Sequence, residues 1–289
     1  MLGRTLRGAG MTLLVSAAAG LVAAGIFAYV GYRLGHRVVT TPEARAAFTC
    51  FRVWWYAIAL WTIVGPVRQL LFLNDALPNW AFQASANIAV VLLGVALWAL
   101  LCNLVYVYTG SVRSWSPLAF VYFLAVASFL GIQAWIGPPM ALGSNGWELV
   151  PATVNELPGW GSFVLLAALL GPPLLAAFAY LGLLRHAPGR TQRYRILMVA
   201  GSLIAWLGSA LLATILGLEG AWGVMLPRAI GIAAALLALF AYDPPPFVQR
   251  KLGVQRAGEE NAPPATPLSV SPPSPPTPPT PPATGTPPT

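Results

Sequence analysis

Residues 80–108 read WAFQASANIAVVLLGVALWALLCNLVYVY and contain no charged side chain. A helix needs about 20 predominantly apolar residues to cross the hydrocarbon core of a bilayer, so this run is long enough to span it. Other blocks reach the same length, at about residues 11–34, 51–73, 117–136, 161–184, 196–216 and 222–242. The sequence therefore predicts an all-α, polytopic membrane protein whose residues 1–250 form a bundle of seven transmembrane helices.

The composition of the whole chain agrees with a bilayer as its solvent. Hydrophobic residues make up 57% of the 289 positions and charged residues only 8%, whereas a soluble domain carries about 25% charged residues. The net charge of +8 does not indicate nucleic-acid binding, because the basic residues flank the apolar blocks. In that position they orient helices in the membrane. The expected partner is therefore the lipid bilayer.

The basic residues are concentrated in alternate connectors. One set of connectors holds Arg33, Arg37, Arg45, Arg52, Arg113, Arg185, Arg190, Arg193, Arg195, Arg250, Lys251 and Arg256. The opposite set has only Arg4 and Arg7 as basic residues, and its other charged residues are acidic. By the positive-inside rule, the N-terminus lies outside and the C-terminus lies in the cytoplasm. The preference for Arg and Ala indicates a GC-rich, bacterial genome, so we expect the bacterial cytoplasmic (inner) membrane.

The longest connector covers residues 137–160 and contains neither Lys nor Arg. It carries Trp147 and Trp160, and tryptophan is enriched at the level of the lipid headgroups. We expect this connector to pack over one end of the bundle.

The C-terminal residues 251–289 form a separate, proline-rich tail. From Pro263 the chain reads PPATPLSVSPPSPPTPPTPPATGTPPT, which has too few large apolar residues to bury a core. Such a segment is typical of a disordered chain with extended polyproline II conformation. Two interpretations remain open, a low-complexity tail without a partner and a docking segment for a cytoplasmic protein.

Several chemistries lack their residues. No CxxC, HExxH or GxSxG motif occurs, and the two histidines, His36 and His186, lie in short basic loops. We therefore expect no metal site, no cofactor and no enzymatic activity. A retinal Schiff base needs a lysine inside the bundle, whereas the sole lysine, Lys251, lies in the tail.

Two arginines fall within predicted spans. Arg68 and Arg228 lie roughly five or six residues from the outer ends of the second and seventh helices, or about 8–9 Å deep. They could snorkel to the headgroups or pair with Asp75 or Glu219. Alternatively, they could line an outward-facing pocket for a small polar or anionic ligand. Because arginine facing lipid is costly, we expect both to face the bundle interior and to share one polar site.

Other polar and aromatic side chains accompany these arginines. Trp54, Trp61, Arg68 and Asp75 are spaced by seven and form a slowly drifting stripe on the second helix. Gln83 and Asn87 lie one turn apart on the third helix. They could form only interhelical hydrogen bonds and core contacts, or they could line the pocket. The predicted ligand-binding residues are Arg68, Arg228, Gln83, Asn87 and Trp61.

From Leu239 the chain reads LFAYDPPPFVQRKLGV, a last helix that ends in an aromatic residue and continues into Pro-Pro and a basic stretch. This junction resembles the one that follows the seven-transmembrane sensory region of bacterial histidine kinases, and the predicted topology is similar. The kinase half does not follow it. The resemblance therefore implies a stand-alone sensory or ligand-binding membrane domain.

A small secondary transporter is the alternative function. Its seven helices would be two three-helix repeats around a linker helix. Pro66 and Pro172 lie near the middle of their segments, as in transporters with broken helices. Against this, the two halves show no clear similarity and no acidic residue lies within a span to couple transport to protons or sodium.

Overall fold

The structure is a computed structural model that describes residues 2–36, 42–109, 115–136, 140–144, 146–152, 159–187, 189–216 and 218–253. Seven long helices occur in these ranges: α1 (Leu2–Gly35), α2 (Pro42–Leu73), α3 (Asn79–Thr109), α4 (Trp115–Ile136), α5 (Gly159–Leu183), α6 (Arg190–Leu216) and α7 (Gly220–Tyr242). Each coincides with one apolar block of the sequence. Helices α1 and α2 begin about nine residues earlier than their apolar blocks, because amphipathic or basic turns precede the apolar residues.

Four of these helices are long and apolar enough to cross a membrane. Helices α3 and α7 qualify over their whole length, and α1 and α2 qualify over Gly10–Gly35 and Arg45–Leu73. In α4 the apolar helical run is shorter, Ala119–Ile132. The chain thus contains the helices of an integral membrane protein. That α4, α5 and α6 also cross the bilayer stays a prediction from the sequence.

The helices pack as a ring in the order α1, α2, α3, α5, α6, α7, and α7 closes the ring against α1. Helix α4 lies outside the ring, mainly against α3. Helix α1 packs between α2 and α7, so these two helices are not direct neighbours, although each contributes one of the two arginines that we expected to share a site.

The core lies at the centre of the ring and combines large aromatic side chains with small ones. Trp54 and Trp55 of α2 are 0% and 1% exposed. The same buried cluster includes alanines of α7 that are at most 1% exposed, namely Ala234, Ala235, Ala238 and Ala241. Small side chains let helix backbones approach closely, which is the main source of packing energy between helices in a bilayer.

Glycines on α1 permit a similarly close approach to α2. A Cβ atom at Gly35 would lie 2.7 Å from the guanidinium of Arg52, and one at Gly31 would lie 3.1 Å from the Tyr56 ring. The side chains of α2 therefore lie directly over these two positions of α1. This contact is the one that the small-xxx-small spacing of Gly31 and Gly35 permits.

A buried polar network joins α2, α3 and α5. The Asn103 amide donates to the Ala47 carbonyl at 3.2 Å, and the Tyr180 hydroxyl donates to Asn103 Oδ1 at 2.6 Å. Asn103 and Tyr180 are 7% and 8% exposed. Because buried polar groups are costly without partners, the network fixes how these three helices pack.

We expect the Asn103→Leu variant to lose about 1–2 kcal/mol of unfolding free energy, because it leaves the buried Tyr180 hydroxyl without its partner and removes the side-chain bond to the Ala47 carbonyl. Reversible unfolding in mixed micelles measures this loss. Tyr180→Phe and the double variant complete a cycle in which the double variant should lose less than the sum of the single losses. Strict additivity would contradict the network.

Two elements were absent from the sequence predictions. In the connector that follows α4, β1 (Met140–Ser144) pairs antiparallel with β2 (Leu149–Ala152). Within the ranges that the structure describes, the chain is therefore helical apart from this one hairpin. After α7, a short helix, α8 (Pro246–Leu252), crosses the predicted domain boundary at residue 251. The predicted disordered tail from residue 254 onward lies outside the described residues.

Candidate functional site: a cavity with two arginines

A cavity of about 280 Å³ lies within the ring between α1, α2, α6 and α7. The helices contribute glycine, proline, aromatic, hydroxyl and arginine side chains to its wall. The lining residues are Gly20, Ala23, Phe27, Trp61, Thr62, Gly65, Pro66, Arg68, Trp206, Ser209, Pro227, Arg228 and Gly231.

Both arginines follow a proline that interrupts the hydrogen bonding of its helix. Pro66 precedes Arg68 by two residues in α2, and Pro227 directly precedes Arg228 in α7. Since proline has no N–H, each interruption removes one intrahelical bond. A Cβ atom at Gly20 of α1 would lie 2.6 Å from Pro66 Cγ and 3.9 Å from Arg228 Cζ. The missing side chain at Gly20 therefore lets α1 approach the site where these two helices are interrupted.

Arg228 is held by α1. Its Nη1 atom donates to the carbonyl and to the hydroxyl of Ser16, which is fully buried. The Ser16 hydroxyl also accepts a bond from Gln69 Nε2 at 3.3 Å. Glu148, in the hairpin connector, lies near enough for a Coulombic attraction to the Arg228 guanidinium. The contact with Ser16 fixes one edge of the Arg228 guanidinium.

The hairpin connector covers this end of the ring, which we call the hairpin end. Gln69 Nε2 donates to the Trp147 carbonyl at 3.2 Å, and the Thr12 hydroxyl donates to the Gly146 carbonyl. Gly146 has a φ of 91°, a backbone conformation that favours glycine. The prediction that this connector packs over one end of the bundle is therefore confirmed for residues 146–147.

Arg68 is held more loosely. Its Nε atom lies 3.5 Å from the Val64 carbonyl of its own helix. Its Cζ atom lies 5.2 Å from the centroid of the Phe82 ring on α3, within the range of a cation–π contact. In the described part of the chain, the ion pair that is found joins Arg33 to Asp243, and neither Arg68 nor Arg228 has a carboxylate in contact.

Aromatic rings form the other end of the cavity. Phe27, Trp61 and Trp206 line it there. Phe27 stacks on Trp55 at 5.9 Å between ring centroids, and Trp206 meets Trp54 edge to face at 5.4 Å. Between the two ends, the Thr62 and Ser209 hydroxyls donate to carbonyls of their own helices. These hydroxyls can offer only lone pairs to a ligand.

No protein-family model, curated protein or solved structure matches this chain. Its function must therefore be inferred from the chemistry of the cavity. Two guanidiniums in a cavity with no carboxylate in its lining attract an anion, and a guanidinium can donate two parallel hydrogen bonds to a carboxylate or phosphate. The lining residues include no nucleophile paired with a base, and within the described residues no group of His, Cys, Asp or Glu could hold a metal ion.

The structure brings together three of the five residues that the sequence singled out. Arg68, Arg228 and Trp61 line the same cavity, whereas Gln83 and Asn87 are half-buried on α3 and do not line it. The predicted stripe runs from buried Trp54 to exposed Asp75. Asp75 was predicted to lie on the second helix, but α2 ends at Leu73 and Asp75 lies in the following turn with a φ of 53°, so the helical spacing does not apply to it. Neither Asp75 nor Glu219 pairs with the arginines, and both are exposed.

Sequence analysis missed Ser16 and Gln69, which are 0% and 4% exposed. A polar residue inside an apolar helix usually faces the bundle, and Ser16 lies one turn from Gly20 on the same face of α1. That spacing could have indicated Ser16. Gln69 follows Arg68 directly, but the contact of Gln69 with the hairpin carbonyl depends on a connector whose fold has no sequence signal.

Proposed function

We propose that the chain is a sensor-like membrane domain that receives a small anionic ligand in the cavity of Arg68 and Arg228, from the outer side of the membrane. The observation that carries this proposal is a pair of guanidiniums, on α2 and α7, that line one cavity with no carboxylate among the lining residues. An arginine at membrane depth costs on the order of 2.5–3.5 kcal/mol, and less nearer the interface. Glu148 attracts Arg228 from outside the cavity, and a ligand that brings a negative charge into the cavity explains why two arginines persist in its wall.

The path from the cavity to the opposite end of the bundle favours a sensor. Helix α7 carries Arg228 and continues through Pro244, which is fully buried, into α8. At that end Asp243 pairs with Arg33 of α1, so α1 and α7 are joined both beside the cavity and beside the junction. A displacement of α7 on ligand binding would be transmitted to α8, which carries Arg250 and Lys251. The resemblance of this junction to those of sensory kinases supports the same interpretation.

Alanine variants separate a ligand site from a structural contact. We expect Arg68→Ala and Arg228→Ala to unfold within about 1 kcal/mol of the parent without ligand, because removing a charge from the bilayer offsets the lost contacts. A saturating ligand at roughly 100 times its Kd should stabilise the parent by about 2.7 kcal/mol. It should stabilise neither variant. The measurement is thermal unfolding against a library of small organic anions.

The opposite pattern would contradict the proposal. It consists of large losses of stability in both variants while no anion in the library stabilises the parent. Arg185→Gln is the matched control, because Arg185 is exposed and lies outside the cavity. It removes the same charge and should respond to ligand as the parent does.

The orientation has its own test. Reporter fusions after Gly146 should be periplasmic and fusions after Gly189 cytoplasmic, because the arginine bias alternates between connectors. Activities of phosphatase and fluorescent-protein fusions measure this directly. If both fusions report the same side, or the reverse sides, the cavity would not face outward as proposed.

A small transporter is the second candidate, and the position of α4 favours it. This helix lies outside the ring, as a linker between two three-helix repeats would. However, the interrupted helices that line the cavity, α2 and α7, do not occupy equivalent positions in two repeats of three. Uptake of a radiolabelled stabilising anion into proteoliposomes would establish the transporter, and saturable binding without uptake would establish the sensor.

A further inference from the structure

The cavity has two chemically different ends. At the hairpin end, a Cβ atom at Gly20 would meet Pro66 and the Arg228 guanidinium. At the other end, a Cβ atom at Gly231 would meet Phe27 at 3.8 Å and the Ser209 hydroxyl at 3.9 Å. The charged groups and the aromatic groups are therefore separated along the cavity.

The helices set the distance between these ends. Trp61 and Arg68 are seven residues apart on α2, and so are Gly20 and Phe27 on α1. At 1.5 Å of rise per residue, each interval spans about 10 Å. Along α1 and α2 alike, the guanidinium end and the aromatic end of the cavity are therefore separated by this distance. A ligand that contacts both ends needs a length of that order.

We propose that the ligand is a small aromatic carboxylate, with its carboxylate between Arg68 and Arg228 and its ring among Phe27, Trp61 and Trp206. This proposal rests on the proposed function, since it names the chemical class of the anion that the cavity receives. One carboxylate has two oxygens, enough to accept bonds from both guanidiniums. Because Arg228 already uses Nη1 on Ser16, it has its other edge available for the ligand.

The remaining wall disfavours three other classes of polar ligand, namely zwitterions, sugars and nucleotides. Zwitterions such as amino acids need a partner for their ammonium group, and no carboxylate lines the cavity. Sugars and nucleotides need several donors and acceptors along their length, but both Thr62 and Ser209 use their hydroxyl protons within their own helices. Aromatic pairs gain energy beyond their buried area when offset or edge to face, which favours a planar ring at the aromatic end.

The volume limits the size of the ring system. At about 280 Å³ the cavity is smaller than most pockets for drug-sized ligands, which occupy roughly 300–1,000 Å³. A single ring with a short acidic side chain suits this space. Fused systems with several substituents do not.

The test measures binding of four probes to the full-length protein in nanodiscs by isothermal titration. Phenylacetate has both features, phenylacetamide keeps the ring without the charge, acetate keeps the charge without the ring, and octanoate replaces the ring by an acyl chain. We expect phenylacetate to bind on the order of tenfold or more tightly than each of the other three. Arg68→Gln and Arg228→Gln should abolish that preference, whereas Arg185→Gln should retain it.

The other outcomes are distinguishable. Equal binding of phenylacetate and phenylacetamide would contradict the proposal that the two arginines bind a carboxylate. If acetate binds as tightly as phenylacetate, and both glutamine variants lose this binding, the ligand need not contain an aromatic ring. The anion site of the proposed function would still stand. Preference for octanoate would assign the cavity to an acyl chain, such as that of a lipid. If neither these probes nor the wider library bind, both proposals fall.

Discussion

The Gly20→Val variant is expected to unfold roughly 5–10 °C below the parent, which corresponds to an overpacking cost of about 2–3 kcal/mol. The new Cβ atom would lie 2.6 Å from Pro66 Cγ, closer than two non-bonded carbon atoms can approach. Proline cannot rotate away, because its ring is part of the backbone. Helix α1 must therefore move away from α2, and the Ser16 contact with Arg228 one turn away moves with it.

Gly25→Val is the matched control for this variant. Gly25 lies on the same helix, and a Cβ atom there would have nothing within 4 Å. Valine at that position should leave the unfolding temperature unchanged or raise it slightly, since glycine weakens a helix interior. Thermal unfolding of both variants in the same detergent measures the difference. Equal stabilities of the two variants would show that α1 and α2 do not meet closely at Gly20.

The sequence predicted the helices well because length and apolarity determine whether a segment can span a bilayer. The block at residues 80–108 and helix α3 (Asn79–Thr109) differ by one residue at each end. Residues 190–195 at the start of α6 were not predicted to be helical, because they are mostly polar and hydropathy alone does not detect them. The hairpin of β1 and β2 was missed because its backbone pairing carries no apolar periodicity.

The candidate site was predictable only in part. The cost of burying arginine indicated Arg68 and Arg228, and the seven-residue spacing connected Arg68 to Trp61. Which helices are adjacent depends on packing between side chains far apart in the chain. That is why α1, which lies between α2 and α7, contributes Ser16 and Gly20 to the site without having been considered. Gln83 and Asn87 were assigned to the cavity on polarity alone, and the ring places them elsewhere.

The largest loss of stability is expected for Trp54→Ala, at about 3–5 kcal/mol. Trp54 is 0% exposed, and its ring packs edge to face against Trp206 at 5.4 Å and Trp55 at 6.2 Å. Truncation would leave a void of nearly the full indole, and lost packing contacts are the dominant cost inside a bilayer. Trp222→Ala is the control, because Trp222 is 71% exposed and should cost little.

Trp54→Phe tests whether ring packing or the indole N–H matters. Trp54 Nε1 is buried without a hydrogen-bond partner among the described residues, so phenylalanine removes an unsatisfied donor as well as part of the ring. We expect Trp54→Phe to lose less than half as much unfolding free energy as Trp54→Ala. Because Trp54 supports Trp206 from behind the cavity wall, Trp54→Ala should also weaken binding of any ligand that contacts Trp206. A Trp54→Ala protein as stable as the parent would contradict the central position of this ring, and with it the packing that shapes the aromatic end of the cavity.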